Sequence, residues 1–170
     1  MKNIIIKKIT ITAVLSALST LAFMLESLFP PLFIPGARMG ISNVFILFTI
    51  ITVGYRYGFI VMAVKILIGS TFSGNLSSIL YSLPAGLVSC GVQVILVHFT
   101  KNFSLPAISV LGAVVNSTVQ NTVFCLVTST WEYISYLPYL ALIAIISGLI
   151  VGFATYLLIK KLPLKLLANL

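Results

Sequence analysis

Long apolar runs, separated by short polar or glycine- and proline-containing segments, dominate the pattern along this chain of 170 residues. A helix needs about 20 apolar residues to cross the roughly 30 Å hydrocarbon core of a bilayer. The pattern therefore predicts one transmembrane domain over residues 1–170, with six spanning helices. We place them at about residues 9–29, 40–53, 58–70, 78–99, 106–130 and 138–159. The second and third runs are short for a span.

The composition agrees with this pattern. Of all residues, 60% are hydrophobic and 7% are charged, whereas soluble domains are roughly 45–50% apolar and about 25% charged. A small soluble domain leaves too much of its surface in water to tolerate so apolar a chain. The first run also has the basic start and apolar core of a secretory signal. Its length and the five similar runs after it favour a retained helix, so we expect an all-α integral membrane protein.

The basic residues predict the orientation of this six-helix bundle. The net charge is +8, but the cations punctuate the apolar runs and do not form the clustered, solvated face that nucleic-acid binding requires. A cytoplasmic N-terminus puts most of them inside, as the positive-inside rule demands: Lys2, Lys7, Lys8, Arg56, Lys101, Lys160, Lys161 and Lys165. We therefore expect both termini in the cytoplasm and a multi-pass protein of the cell membrane, in a bacterial cytoplasmic membrane.

Several classes of chemistry lack the residues they need. The chain contains no aspartate, and its acids are Glu26 and Glu132. One histidine, His98, and two cysteines, Cys90 and Cys125, are too few for an ordinary structural zinc site. No phosphate-binding loop and no hydrolase motif is present in the sequence. We expect a protein that is not an enzyme and that carries no metal or cofactor.

Two cations lie at unusual positions, one inside an apolar run, where a charge is energetically costly, and one on the outer side of the membrane. Lys65 lies inside the third apolar run, and an ionisable group within a bilayer is by default a functional hypothesis. The alternatives are that Lys65 reaches toward the interface or pairs with Glu26. Arg38 precedes the second helix, where a guanidinium and helix N–H groups together suit a carboxylate or phosphate. Its alternative role is that of an interfacial anchor.

Amide side chains mark the fifth run. Asn116 and Gln120 are four residues apart and share one helix face, whereas Asn121 is turned away by about 100°. These amides either face a ligand or form hydrogen bonds between helices. Weaker candidates for substrate contact lie in the other helices and loops, and the last of them fits an aromatic belt equally well: Asn43, Asn75, Tyr81, Ser82 and Trp131.

Small residues recur at helical spacing in two helices. Ala13 and Ala17 form an AxxxA pattern in the first helix, and Ala144, Gly148 and Gly152 repeat the spacing in the sixth. Such faces allow helices to approach closely. They serve either internal packing or docking on a second membrane protein, and the spacing alone leaves both open.

Several segments resemble a known family: LESLFP at 25–30, PGARMGISNVFIL at 35–47, VKILIGSTFSG at 64–74, SILYSLPAGLVS at 78–89 and FSLPAISVLGAVVNSTVQ at 103–120. The sequence resembles the family named heptaprenyl diphosphate synthase component I, also called the Gx transporter family. That family is related to the substrate-binding S components of energy-coupling factor (ECF) importers. The synthase name conflicts with the absent aspartates, because prenyl diphosphate synthases hold magnesium through aspartate-rich motifs.

The resemblance implies a function in uptake. An S component captures a small molecule outside and docks through its first helix on a transmembrane coupling subunit, which two cytosolic ATPases energise. We expect a vitamin-like or isoprenoid- or quinone-related, anionic ligand held by Arg38, Asn43, Lys65, Asn75, Tyr81, Asn116, Gln120 and Trp131, and docking through Ala13 and Ala17. The alternative is a non-catalytic accessory membrane protein of isoprenoid or quinone biosynthesis.

Overall fold

The computed structural model describes residues 2–28, 40–99 and 103–162, and this part of the chain is helical with no strand. The six helices are α1 (Lys2–Leu28), α2 (Asn43–Thr52), α3 (Tyr55–Phe72), α4 (Ser78–Phe99), α5 (Leu105–Thr128) and α6 (Leu137–Lys161). A 3-10 helix, Trp131–Tyr136, leads directly into α6. The all-α class and the six helices agree with the sequence prediction.

Five helical segments of the described residues are long and apolar enough to cross a membrane: α1, α3, α4, α5 and the 3-10 helix together with α6. This indicates a multi-pass membrane protein. α2 is the exception, since its 10 residues extend only about 15 Å. The expectation of six membrane-spanning helices therefore needs correction at α2, which is too short to cross by itself.

Local backbone geometry explains where the helices differ from the predicted ranges. α1 begins at Lys2, well before residue 9, because the amino-terminal lysines do not interrupt helical hydrogen bonding. α2 is separated from α3 by Gly54, whose φ of 125° is accessible to glycine at little cost. α5 ends at Thr128, and Ser129 follows in the left-handed region with φ 56°. Trp131 consequently starts the 3-10 helix and does not continue α5.

Contacts between α4 and α5 show the relative direction of these two helices. The Ser89 hydroxyl in α4 donates a 2.8 Å hydrogen bond to the carbonyl of Gly112 in α5. Earlier in α4, the ring of Tyr81 meets that of Phe124, later in α5, edge to face at 5.5 Å. Later residues of α4 therefore contact earlier residues of α5, so the two helices are antiparallel.

The small residues of α6 provide its contact with α5. A Cβ at Gly148 would lie 2.7 Å from the Cα of Val110, and one at Gly152 would lie 2.5 Å from the Cα of Pro106. Both separations are shorter than carbon atoms tolerate, so the backbones meet directly at these positions. Of the two roles that the spacing left open, internal packing is therefore the one this helix uses.

An apolar core joins α1, α2, α3 and α4. Its buried members are Leu15, Ile46, Phe48, Ile50, Val53, Val61, Met62, Ile66 and Cys90. Many large apolar side chains on the outer faces of the helices are exposed, as expected where lipid replaces water. Some of the buried polar side chains line a central cavity beside this core, among them Ser42, Lys65, Ser82, Ser89 and Gln93.

Candidate functional site

A cavity of about 80 Å³ lies among the six helices, and each helix contributes to its wall. Its lining is mainly polar, although the bundle around it is apolar. The polar members are Glu26, Ser42, Asn43, Lys65, Ser82, Ser89, Gln93, Asn116, Ser117, Gln120 and Ser147. Polar groups gathered inside a membrane bundle are costly without partners and mark a candidate binding site.

Helical periodicity places the lining residues of α4 on one face of that helix, and it does the same for those of α5. Ser82, Ser89 and Gln93 follow one another along a single face of α4, with Gly86 between them. On α5, Asn116 and Gln120 share the face that borders the same space. The prediction that these two amides lie together is consistent with this placement. Of the polar lining residues of α4, only Ser82 was predicted from the sequence, because isolated polar residues in an apolar run give a weak signal.

Lys65 is buried in the bundle, with 6% of its surface exposed. Its Nζ donates a hydrogen bond of 2.7 Å to the Oδ1 of Asn43 and one of 3.3 Å to the Oγ of Ser42. The same Nζ lies 5.7 Å from the centre of the Phe23 ring, within the range of a cation–π contact. Lys65 thus points into the cavity region, toward the start of α2.

Ser42 connects Lys65 with the acidic side chain of the same cavity. Its backbone N–H donates to the Oε1 of Glu26 at 2.8 Å, and its Oγ accepts from Lys65. Its carbonyl accepts from the hydroxyl of Ser19 at 2.9 Å. Side chains from α1 and α3 therefore hold the start of α2. One positive and one negative side chain line this part of the cavity, and their formal charges cancel.

The amides of α5 have two different environments. Asn121 is turned away from the cavity and donates a 3.1 Å hydrogen bond to the carbonyl of Tyr133, so it fastens α5 to the 3-10 helix. Asn116 and Gln120 line the cavity. Within the described ranges, the side chains of these two residues form no hydrogen bond with the protein. Their donors and acceptors are therefore available to the cavity.

Gln93 of α4 is a lining residue that the sequence analysis missed. Only 6% of its surface is exposed, and its amide forms no hydrogen bond with another described residue. It lies where α4 approaches Gly112 of α5. The signal that would have found it is its helical spacing from Ser82 and Ser89.

Three predicted contact residues are not among those that line the cavity. Asn75 accepts a 3.2 Å hydrogen bond from the backbone N–H of Ser78 and thereby caps α4. Tyr81 packs on Phe124. Trp131 is 57% exposed at the start of the 3-10 helix. A fourth candidate, Arg38, lies outside the described residues.

Ala13 and Ala17 lie on the outer face of α1, where both are exposed. Large apolar side chains surround them on that face, including Ile9, Val14 and Leu21. The two alanines leave a shallow depression in an apolar helix surface, which is the shape that close helix packing requires. Their role in docking stays a prediction.

The part of the chain that the structure describes offers no set of side chains suited to bind a metal ion. No group of three or more histidine, cysteine, aspartate or glutamate side chains comes together there. Cys90 and Cys125 are both buried as free thiols. They pack as small apolar residues.

Comparison with known proteins gives one match. Residues 15–158 match the family described as heptaprenyl diphosphate synthase component I, and this range contains every residue that lines the cavity. Comparisons with curated proteins and with solved structures give no match.

Proposed function

The chain belongs to the heptaprenyl diphosphate synthase component I family, and we propose that it is the substrate-binding component of an energy-coupling factor importer. In this role it captures a small vitamin-like or isoprenoid- or quinone-related molecule from outside the cell. The observation that carries the proposal is the polar cavity to whose lining all six helices of an apolar bundle contribute. The resemblance of the sequence to S components supplies the transport context.

The unpartnered amides support binding over a purely structural role. An amide removed from water without a hydrogen bond destabilises a protein by about 1–3 kcal/mol. Asn116 and Gln120 face the cavity without partners among the described residues. A structural amide is expected to resemble Asn121, which bonds to Tyr133. The cavity amides therefore fit groups that are retained for a ligand.

The size and charge of the cavity limit the ligand. A volume of about 80 Å³ suits a small head group better than a whole prenyl chain. The expectation of an anion depended on Lys65 and Arg38. Because Glu26 lines the same cavity as Lys65, a net negative charge is not required of the ligand.

Surface features support a proposal for the membrane orientation and the partners. Exposed cations on the described helices, among them Lys7, Arg56 and Lys160, favour cytoplasmic termini under the positive-inside rule. The cavity includes Glu26, near the end of α1, and so faces outward in this orientation. We propose docking of the exposed Ala13 and Ala17 face on a transmembrane coupling subunit, with two cytosolic ATPases, in a bacterial cell membrane.

Native mass spectrometry of the full chain in mild detergent tests the proposal. We expect a stoichiometric small molecule to be retained, and we expect it to be lost from Lys65→Ala. Lys7→Ala is the matched control, because Lys7 is exposed near the start of α1. A protein that carries nothing, and whose melting temperature does not respond to vitamins or quinone precursors, would contradict substrate capture.

The family description favours a second candidate, a non-catalytic accessory membrane protein of isoprenoid or quinone biosynthesis. The words "component I" name a part of a synthase. Magnesium–diphosphate chemistry itself needs clustered carboxylates, and the two acids here are Glu26 and Glu132. Stable co-purification with a prenyl synthase, together with an empty cavity, would favour this candidate over transport.

A further inference from the structure

We propose that Gln93 forms the deep end of the ligand site and recognises a neutral amide-type group. The preferred ligand is then a single-ring molecule with a lactam, imide or carboxamide group. This inference rests on the proposed capture function and specifies the chemical class of its substrate. Gln93 was not among the residues that the sequence pattern identified.

The first support is the combination of burial and hydrogen bonding at Gln93. The side chain is 6% exposed, lines the cavity and forms no hydrogen bond with another described residue. Every fully enclosed side-chain nitrogen or oxygen in the described residues has a partner. The amide atoms of Gln93 therefore lie at the cavity surface, where their partner is whatever fills the cavity.

The second support is that packing fixes this amide in place. A Cβ at Gly112 would collide with the Nε2, Cγ and Cδ of Gln93, so α5 has no side chain where the amide lies. The neighbouring Ser89 hydroxyl donates to the Gly112 carbonyl at 2.8 Å. The amide is thus positioned by van der Waals contact while its hydrogen-bonding capacity remains unused. Such preorganisation reduces the entropy lost on binding.

The third support is the distance between Gln93 and the charged groups. Gly86 packs against Met62 and Ile66, so it lies level with the part of α3 that carries Lys65. Gln93 lies seven residues further along α4, about 10 Å deeper at 1.5 Å per residue. Gln93 therefore belongs to a different level of the cavity wall from the part of α3 that carries Lys65.

The donor and acceptor pattern selects the ligand group. A glutamine side chain presents a carbonyl oxygen and two N–H donors. A lactam, imide or carboxamide presents the complementary acceptor and donor on adjacent atoms, so both halves of the Gln93 amide are satisfied. A carboxylate accepts only, and an unsubstituted ring nitrogen likewise offers no donor. The cavity volume of about 80 Å³ favours a small ligand, so the probes are limited to molecules with one ring.

Three probes that share one ring test this assignment: nicotinamide, nicotinate and pyridine. Binding to the full-length protein in detergent is measured by thermal shift and calorimetry at fixed pH and salt. We expect nicotinamide to bind more tightly than nicotinate or pyridine. Gln93→Leu, which keeps most of the side-chain volume, is expected to weaken nicotinamide binding about tenfold and to leave pyridine binding unchanged. Gln93→Met provides the same test if the leucine variant does not fold.

Gln120→Leu is the comparison variant, because it alters the other glutamine of the chain at a different point of the same cavity. It is expected to weaken all three probes without changing their ranking. Tighter binding of nicotinate, or an equal loss for every probe in Gln93→Leu, overturns the inference and leaves substrate capture intact. If no probe binds, the molecule that co-purifies with the protein tests the inference. A co-purified molecule without an amide-type group overturns it. A protein that binds no probe and retains no molecule overturns both proposals.

Discussion

Lys65 and Asn43 form a 2.7 Å hydrogen bond from Nζ to Oδ1 across the junction of α3 and α2. An amide oxygen of the protein therefore lies where an oxygen of a ligand would contact the same ammonium group. Asn43 is the first residue of α2, so this bond also helps to fix the beginning of that helix. Lys65 accordingly has a structural role at this junction, and its contact with a ligand stays a prediction that mutation can test.

Lys65→Met should lower the free energy of unfolding by about 1–3 kcal/mol. The variant keeps the apolar stem but removes the Nζ hydrogen bonds to Asn43 and to Ser42, the residue whose backbone N–H donates to Glu26. Adding Glu26→Gln should recover part of the loss. Thermal denaturation of the four members of this double-mutant cycle in detergent measures the coupling. Additive effects of the two substitutions would show that the charges do not interact.

Asn116 and Asn121 form a matched pair on one helix. Asn121→Leu should lower the melting temperature, since it removes the hydrogen bond to the Tyr133 carbonyl, and should leave ligand affinity nearly unchanged. Asn116→Leu should weaken ligand binding about tenfold without lowering the melting temperature, because no described residue is its partner. Parallel thermal and binding measurements check both. The reverse pattern would place the ligand elsewhere.

Gly152→Ala should destabilise the bundle by about 1–3 kcal/mol, the usual range for overpacking. The added methyl group would lie 2.5 Å from the Cα of Pro106, and a backbone atom cannot rotate away. Gly91→Ala is the control, because a Cβ there meets nothing within 4 Å. Denaturation of both variants in the same detergent compares them. Equal stability of the two would refute direct α5–α6 backbone contact.

Ala13→Leu and Ala17→Leu should abolish co-purification with the coupling subunit while ligand binding persists. Both alanines are exposed on α1, so larger side chains fill the depression without disturbing the bundle. Val14→Leu, at another exposed position of the same helix, is the control and should retain the complex. Co-expression with affinity purification provides the measurement. Retention of the partner by both alanine variants would exclude this face as the docking surface.

Periodicity explains what the sequence could reveal. The apolar runs predicted the helices, and the four-residue spacing predicted that Asn116 and Gln120 share a face. The second run was recognised as short for a span, but its later start at Asn43 was not, because Ile41 continues the apolar run before that residue. Asn75 was expected at the ligand because it is a polar loop residue. Its side-chain amide oxygen instead accepts the hydrogen bond from the backbone N–H of Ser78 that caps α4. Gln93 was missed because its importance depends on Gly112 of another helix.

The two faces of α1 connect docking on the outer surface energetically with binding in the cavity. One continuous helix of 27 residues presents Ala13 and Ala17 outward, while Ser19 and Glu26 hold Ser42 inside. A partner that shifts α1 must also shift the groups that fix the start of α2 beside the cavity. Thermodynamic linkage then requires reciprocity: if docking alters ligand affinity by some factor, the ligand alters docking affinity by the same factor.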